Sequence, residues 1–345
     1  MNTTALNEKD KSWINLIDAS IKFCKAKPWE VLVDQSELFC VYDLRSDTKY
    51  YCCVTGASGE FHALIAYRGT SGYQAHYRLN NLSDKENLNL ETHFEQDCLI
   101  AEFTYRADLS ESERKRLKKY GFKFRGFGYP KFSDYKPRYM PEQIDSNSVQ
   151  DINSLKSCLE AGLIVLEKYQ KDSKYLQKPG HIKTWTVNQD TASLVESWSA
   201  APTIKKTEVI ADSDSNLFIK RIQKLSPVCK NCQWELGMFT LPVVVDEENT
   251  DRFMPRLSAV LDSDTGFVYN QRILEPNADI YLSLLNTLFD TIMKLKIKPT
   301  RLVIRDKKAL KFIQSYLDEL HIEGKYSENL PAFEELEESM NQHFI

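Results

Sequence analysis

The stretch LSAVLDSDTGFVYNQRIL, residues 257–274, decides the fold of the C-terminal part of this chain. It consists of two apolar segments, Leu257–Leu261 and Phe267–Leu274, on either side of the acidic turn sequence DSDTG. Tight turns favour Asp and Gly, because Asp side chains hydrogen-bond nearby backbone amides and Gly accepts a positive φ. The stretch therefore predicts two antiparallel strands joined by a turn.

One more strand is predicted before this hairpin and two after it, at residues 234–245, 301–305 and 322–326. A helix over residues 279–296 carries its apolar residues at helical spacing, a second helix separates the last two strands, and Pro331 begins a final helix as its first-turn residue. The resulting order of elements is that of the RNase H-like fold. The sequence therefore predicts a C-terminal α/β domain with RNase H-like βββαβαβα order.

The first half of the chain mixes helices with short strands. Helices are predicted over residues 10–26, 110–120 and 149–169, and strands at residues 38–42, 50–54, 61–67 and 98–105. Ser110 and Glu113 have the spacing of a capping box at the start of the second helix. This mixture predicts an N-terminal α+β domain over residues 1–170 that ends with the long helix. Residues 171–225 are predicted as a linker with small connecting elements, and residues 226–345 as the C-terminal domain.

The composition is that expected of a cytoplasmic globular protein. Of the residues, 42% are hydrophobic and 27% are charged, and the formal net charge is −4. No apolar run reaches the roughly 20 residues that a membrane-spanning helix needs, and the N-terminal residues do not resemble a secretory signal. We therefore expect a cytoplasmic location and no membrane partner. An affinity for nucleic acid is expected only where a local patch provides positive charge.

Eight cysteines are scattered through the chain, most of them within apolar segments. This distribution indicates small buried side chains in a reducing compartment. Only Cys229 and Cys232, in the sequence CKNC, have the spacing of a metal or redox pair. A structural zinc site needs about four ligands, and no second pair and no suitably spaced His lies nearby. Whether these two cysteines bind a metal therefore stays open.

Several short motifs follow one another in an order that is typical of a known family. They are YCCVTGASGE, CLIAEFTYR and FKFRG in the first half, and QWELGMFTLP, SAVLDSDTGFV, KPTRLVIRD and NLPAFEELEE in the second. In this combination the chain resembles a bacterial two-domain family of unknown function. The resemblance covers most of the chain and implies an uncharacterised N-terminal α+β domain paired with a C-terminal α/β domain in a cytoplasmic protein. It implies no activity.

The stretch RKRLKKYGFKFRGFGYPKFSDYKPR, residues 114–138, contains ten Lys or Arg residues and one acid, Asp134. Phe and Tyr residues are interleaved with these cations, a combination that grooves for single-stranded nucleic acid also use. The cations would contact phosphates and the exposed rings would stack on bases. The candidate nucleic-acid-binding residues are Lys123, Arg125, Phe127, Tyr129, Lys131, Phe132, Lys136 and Arg138.

A structural interpretation of the same stretch is also open. In it, Phe122 and Phe124 are core residues of an alternating strand whose cations lie on the exposed face. Residues 127–138 then form a Pro-containing loop, and the cations of residues 114–119 form a solvated helix face. Either way, we expect a binding or interaction protein whose partner is a nucleic acid or another protein.

The RNase H-like order of elements also predicts an alternative function, a divalent-metal-dependent nuclease. Enzymes of this type hold two divalent ions, such as Mg²⁺, on acidic side chains from the first strand, the fourth strand and a helix. Asp306 follows the predicted fourth strand, and Glu235 lies near the start of the first. Asp262 is a further candidate, although hairpin geometry also explains its place in the DSDTG turn. In this alternative Asp306 acts with Glu235 or Asp262; otherwise neither a catalytic residue nor a cofactor is expected.

Overall fold

The chain folds into two compact units, Met1–Ile204 and Lys205–Ile345. The computed structural model describes residues 7–33, 37–80, 94–145, 148–188, 193–203, 219–220, 222–224, 229, 232–246 and 251–344. Both units are of mixed α/β architecture, and each is built around one β-sheet. None of the helices in these ranges is long and apolar enough to cross a lipid bilayer.

The sheet of the N-terminal unit has eight strands. They are β1 (Phe39–Asp43), β2 (Thr48–Thr55), β3 (His62–Arg68), β4 (Cys98–Thr104), β5 (Tyr129–Tyr135), β6 (Glu142–Gln143), β7 (His181–Val187) and β8 (Leu194–Ala200). Their order is β6-β5-β4-β3-β2-β1-β7-β8, and neighbours are antiparallel except for β1 and β7. β7 and β8 lie within residues 171–225, which the sequence predicts to be connecting elements. In the structure this segment contributes two strands to the sheet.

In the described part of this unit, four α-helices accompany the sheet: α1 (Glu8–Ala26), α2 (Gly69–Asn80), α3 (Glu111–Lys119) and α4 (Val149–Lys171). α1 and α4 pack against each other on one face of the sheet, where they bury Trp13, Leu16 and Leu155 in the main core. The predicted capping box of α3 is present. The Ser110 hydroxyl accepts a hydrogen bond from the Glu113 amide at 3.3 Å, and the Glu113 carboxylate accepts one from the Ser110 amide at 2.8 Å.

The basic stretch has a different structure from the predicted strand followed by a loop. Residues 122–128, which include both Phe residues expected in a strand, form a loop, and β5 begins only at Tyr129. β5 contains Pro130, which has no amide hydrogen to donate to a neighbour. Proline is tolerated here because β6 pairs only with Ser133 and Asp134, so the start of β5 has a single neighbouring strand.

Besides the helical residues 219–220 and 222–224, the described ranges of the C-terminal unit contain five strands and three helices. They are β9 (Gln233–Thr240), β10 (Arg256–Asp262), β11 (Val268–Leu274), α5 (Ile280–Leu295), β12 (Arg301–Ile304), α6 (Lys307–Glu319), β13 (Glu323–Tyr326) and α7 (Pro331–Phe344). The strand order is β11-β10-β9-β12-β13. β10 is antiparallel to β9 and β11, whereas β12 is parallel to β9 and β13. These elements follow one another in the predicted order βββαβαβα.

Different helices cover the two faces of this second sheet. Trp234 and Leu236 of β9 pack in a core formed with α5 and α6, whereas Phe239 packs in a core formed with α7. Gly237 lies beneath Phe333 of α7, where an added Cβ atom would come within 2.7 Å of the phenyl ring. Successive residues of β9 therefore face different helices, and this alternation decides the surroundings of each acidic candidate.

Candidate functional site

The cations of α3 are largely engaged with side chains of their own unit. Lys115 pairs with Glu111 one turn earlier, and Lys119 pairs with Asp10 of α1 at 2.7 Å. The hydrogen bond from Lys119 lowers the pKa of Asp10. A third cation of this helix, Arg116, lies 4.0 Å from the centre of a core indole ring. The N-terminal part of the basic stretch therefore has a structural role.

The predicted nucleic-acid-binding residues outside β5 lie at its two opposite ends. Lys123, Arg125 and Phe127 precede this strand, and Lys136 and Arg138 follow it. β5 has seven residues, so its two ends are about 20 Å apart. The eight predicted nucleic-acid-binding residues therefore do not form one continuous cluster.

The predicted nucleic-acid-binding residues within β5 are engaged in contacts with other residues of their own unit. Phe132 is buried in the main core, so the prediction that it stacks on a base is wrong. Its burial follows from the alternation of side chains along a strand whose position the sequence did not reveal. The Tyr129 hydroxyl donates a hydrogen bond to the Phe124 carbonyl at 3.0 Å, and Lys131 pairs with Glu102 at 3.4 Å.

A group of rings meets at the end of the sheet where β5 begins. We call this group, Trp29, His62, Phe103, Tyr105 and Phe127, the aromatic corner. The ring of Phe127 lies 5.1 Å from that of His62 and 5.5 Å from that of Tyr105, and Trp29 lies 4.6 Å from His62. Trp29 and Phe103 are buried, whereas Phe127 is 38% exposed and Tyr105 is 59% exposed. The corner thus presents two rings to solvent on a packed base.

The backbone fixes the loop that carries Phe127. Gly126 and Gly128 have positive φ angles of 71° and 104°, which other residues rarely adopt. The Gly128 amide donates a hydrogen bond to the Thr104 carbonyl at 3.0 Å. A Cβ atom at Gly128 would also lie 3.0 Å from the Cys24 sulfur. The loop is therefore held close to the end of β4, and Phe127 is held beside the residues that follow that strand.

Three exposed cations accompany the aromatic corner in the chain. Lys123 and Arg125 lie in the loop before β5, and Arg106 follows Tyr105 directly. Within the ranges that the structure describes, none of the three has an acidic partner. The nearby acid Asp108 accepts a hydrogen bond from the Thr104 hydroxyl at 2.6 Å, which lowers its pKa. Arg106, Lys123 and Arg125 are therefore exposed cations outside the ion pairs that join described residues.

Sequence reasoning missed most of the aromatic corner. Of its five rings, it selected Phe127 alone. The sequence TYR, which contains Tyr105 and Arg106, was a usable signal because it places a ring and a cation at the end of the strand predicted at residues 98–105. Trp29 and His62 gave no such signal, since they come from distant parts of the chain and meet Phe127 only through the fold.

Glu235, the predicted acid of the first strand, is buried and holds the start of α7. Its carboxylate accepts a hydrogen bond from the Phe333 amide at 2.9 Å. Phe333 belongs to the first turn of α7, where backbone amides have no partner within the helix. Burial raises the pKa of Glu235. The side chain therefore acts as a helix cap from a neighbouring strand.

Asp262 and Asp306 also serve the local structure. Asp262 accepts hydrogen bonds from the amides of Asp264 and Thr265 at 3.1 and 2.9 Å and from the Tyr269 hydroxyl at 2.8 Å. Burial alone would raise the pKa of Asp262, but these hydrogen bonds lower it below its ordinary value. Asp306 caps α6 by accepting hydrogen bonds from two amides of its first turn at 2.7 and 3.1 Å.

The three acids do not assemble into a two-metal site. The register of β9 and β10 places Asp262 opposite Trp234 and Glu235 opposite Leu261. The two carboxylates therefore lie on opposite faces of the sheet. Asp306 follows the C-terminal end of β12, whereas Asp262 lies beside the N-terminal end of β9, which runs parallel to β12. Among the described residues, no group of three or more His, Cys, Asp or Glu side chains could hold a metal ion. The geometry thus corrects the predicted pairing of Asp306 with Glu235 or Asp262.

The CKNC pair forms a disulfide between Cys229 and Cys232. The Cys232 carbonyl accepts hydrogen bonds from the amide and the hydroxyl of Thr300 at 3.0 and 2.8 Å, which ties the pair to the residue before β12. A disulfide leaves neither sulfur as a thiolate ligand for a metal. In this state the pair links two segments of the C-terminal unit.

The two sheets, each with its own core and helices, define a two-domain protein of mixed α/β architecture. The chain belongs to the family described as Domain of unknown function (DUF7309), whose model matches residues 13–186. The model of a second domain of unknown function (DUF6930) matches residues 218–341. These matches confirm the resemblance to a two-domain family of unknown function. No curated protein matches the chain.

Proposed function

We propose that this protein binds nucleic acid through the aromatic corner and the cations Arg106, Lys123 and Arg125. The observation that carries the proposal is the combination of exposed rings with three exposed cations that lack acidic partners among the described residues. Phosphates attract such cations, and bases stack on such rings. Lys136 and Arg138 are not part of the proposed surface, because they lie at the other end of β5.

Because the net charge of the chain is negative, binding of a nucleic acid depends on the positions of these three cations. At a formal charge of −4, the protein as a whole repels a polyanion, so binding depends on the local field of these cations. Only a few phosphates are contacted, and the affinity is therefore modest and salt-sensitive. We expect a surface that recognises a short segment of the nucleic acid.

An electrophoretic shift assay with the full chain tests the proposal. A labelled oligonucleotide of about 12 nucleotides should shift at about 50 mM salt and should no longer shift, or shift less, at about 200 mM. The variant with Arg106→Ala, Lys123→Ala and Arg125→Ala should lose the shift at the lower salt concentration. The absence of any shift of the unaltered protein at low salt contradicts the proposal.

A charge-matched control separates this surface from a general effect of charge. Lys294, Lys308 and Lys311 are exposed cations of the C-terminal unit, and replacing all three by Ala changes the net charge by the same amount. This control variant should bind like the unaltered protein. Equal losses in both triple variants would contradict a local surface.

For the C-terminal domain we propose an RNase H-like fold without the two-metal centre of such nucleases. The order βββαβαβα and the strand order β11-β10-β9-β12-β13 support the fold. The separation of Glu235, Asp262 and Asp306 speaks against the metal centre. Incubation with Mg²⁺ and RNA or DNA should therefore give no cleavage. Mg²⁺-dependent cleavage that Asp306→Asn abolishes would contradict this proposal.

A cytoplasmic location completes the proposal. It is supported by the six free cysteines, five of which are buried, because free thiols in such numbers are typical of a reducing compartment. Fractionation of cells that express the tagged chain should place it with cytoplasmic markers. Recovery with secreted proteins would contradict the assignment.

A further inference from the structure

We infer that the exposed rings of the aromatic corner hold one unpaired base, so that the ligand is a single strand and not a duplex. The inference rests on the proposed nucleic-acid binding and concerns the two rings of Phe127 and Tyr105. It goes beyond the electrostatic proposal, because both a single strand and a duplex offer phosphates to the cations.

The angle between the two exposed rings limits how many bases they can hold. The rings of Phe127 and Tyr105 are 5.5 Å apart, and their planes meet at 67°. A base sandwiched between two rings needs parallel planes about 7 Å apart, because each contact takes about 3.5 Å. No such slot exists between these rings. A base can instead stack on the free face of one ring while the edge of the other ring closes one side.

The packing behind the corner holds this arrangement in place before any ligand binds. The Phe127 ring meets the rings of His62 and the buried Trp29 in edge-to-face contacts, and the centre of the Trp29 ring lies 6.4 Å away at an angle of 89°. Trp29 in turn packs on the buried Phe103 at 5.7 Å. Rings that are already ordered lose little conformational freedom on binding, so the stacking energy is retained as affinity.

A duplex cannot use the corner in the same way. Paired bases are stacked on both faces, and a ring gains access to a base face only when that base is unpaired and turned out of the stack. The cost of turning out one base is similar to the gain from stacking it on one ring. The corner therefore favours strands whose bases are already free.

A binding experiment with three ligands of equal length tests the inference. Fluorescence anisotropy is measured at about 50 mM salt with a single strand of about 12 nucleotides, an abasic strand with the same number of phosphates, and a duplex. The single strand should bind about tenfold more tightly than the abasic strand, as expected for one stacked base. The duplex, whose bases are paired, should bind less tightly than the single strand.

Two variants and one control assign the effect to the corner. Phe127→Leu and Tyr105→Leu should each reduce the preference for the single strand while binding to the abasic strand is kept. Phe267→Leu removes a ring that is 64% exposed in the C-terminal unit and should change nothing. Circular dichroism confirms that each variant is folded, and Tyr105→Leu is the safer variant because this ring is the more exposed of the two.

The outcomes distinguish the inference from the proposed function. If no ligand binds at low salt, the proposed function fails. If all three ligands bind equally, or if the two variants weaken the single strand and the abasic strand alike, nucleic-acid binding stands and the stacked base is contradicted.

Discussion

Arg68 is a half-buried cation held between two carboxylates of its own sheet. Its guanidinium pairs with Asp97 at 3.0 Å and with Asp134, and the Arg68 side chain is 18% exposed. Arg68→Met keeps much of the stem but leaves two carboxylates without their cation. We expect a loss of about 3–5 kcal/mol in the free energy of unfolding, measured by urea titration.

A surface ion pair provides the control for Arg68. Arg272 pairs with Asp290 where both side chains are exposed, so Arg272→Met should cost less than about 1 kcal/mol. Equal losses in the two variants would contradict the structural role of Arg68.

Glu235 makes the stability of the C-terminal domain depend on pH. Burial raises its pKa above the ordinary value of 4.5, so the folded state binds more protons than the unfolded state at pH values above 4.5. The stability that this group contributes is complete below pH 4.5 and is lost as the pH rises through the folded pKa. Glu235→Gln should remove this dependence and raise the stability at pH 7, because the amide oxygen still accepts from the Phe333 amide.

The matched variant for this prediction is Glu235→Ala, which removes the acceptor altogether. It leaves the Phe333 amide without a partner and should cost about 1–3 kcal/mol at low pH, and less at neutral pH, where the buried carboxylate no longer contributes its stability. Denaturation curves at pH 4 and pH 7 check both variants. A glutamine variant that is less stable than the unaltered protein at pH 7 would contradict the raised pKa.

At the level of single residues, the sequence showed which side chains could take part in binding or catalysis, but it did not show where the fold places them. Phe127 and Phe132 carry the same side chain and lie five positions apart, yet one is exposed in a loop and the other is buried in β5. Their environments depend on where β5 begins, and Pro130 obscured that start. Asp262 and Asp306 were recognised in their turn and post-strand positions, but their hydrogen bonds to backbone amides could only be read from the structure.

Among the elements, the contact between β9 and α7 depends on a residue without a side chain. The ring of Phe333 lies against Gly237, and a Cβ atom there would come within 2.7 Å of it. Gly237→Ala should therefore push α7 away from the sheet and cost about 1–3 kcal/mol. Adding Phe333→Leu should return part of this loss, since the shorter side chain leaves room for the methyl group. Thermal unfolding of the two single variants and the double variant measures the coupling, and simple additivity would contradict the contact.

The sequence predicted the elements of the two units unequally. The C-terminal strands and helices alternate with clear hydrophobic patterns and turn signals, so their order was predicted from the sequence. β7 and β8 were placed in a connecting segment because β8 is an edge strand with polar residues at 196, 197 and 199, which leave little hydrophobic alternation. Whether such a segment forms a strand depends on the neighbouring strand with which it pairs. The parallel pairing of β1 with β7 is a long-range contact, which local sequence patterns do not encode.

The eight cysteines form three groups, which are five buried thiols, one half-buried thiol and one disulfide. A thiol reagent can count the members of each group. Burial raises the pKa values of Cys40 and Cys53 to about 12, and it also raises those of Cys52 and Cys98. Such thiols are protonated and shielded near pH 8. We expect only the half-buried Cys24 to react at a measurable rate in the folded protein.

Unfolding and reduction complete this count. Six thiols should react in denaturant, and two more should appear after reduction of the Cys229–Cys232 disulfide. Cys24→Ser should abolish the reaction of the folded protein. Several fast thiols in the folded state, or eight in denaturant without reductant, would contradict the structure.

For the whole molecule, the central claim is that three exposed cations, which accompany the aromatic corner in the chain, give an acidic protein an affinity for nucleic acid. The slope of log affinity against log salt concentration counts the phosphates that are neutralised, at about −0.7 per contact for a single strand. The most direct measurement is this slope for the unaltered protein and for the variant lacking Arg106, Lys123 and Arg125. We predict a slope near −2 that is lost in the variant. An unchanged slope in the variant would place the binding elsewhere on the molecule and contradict the claim.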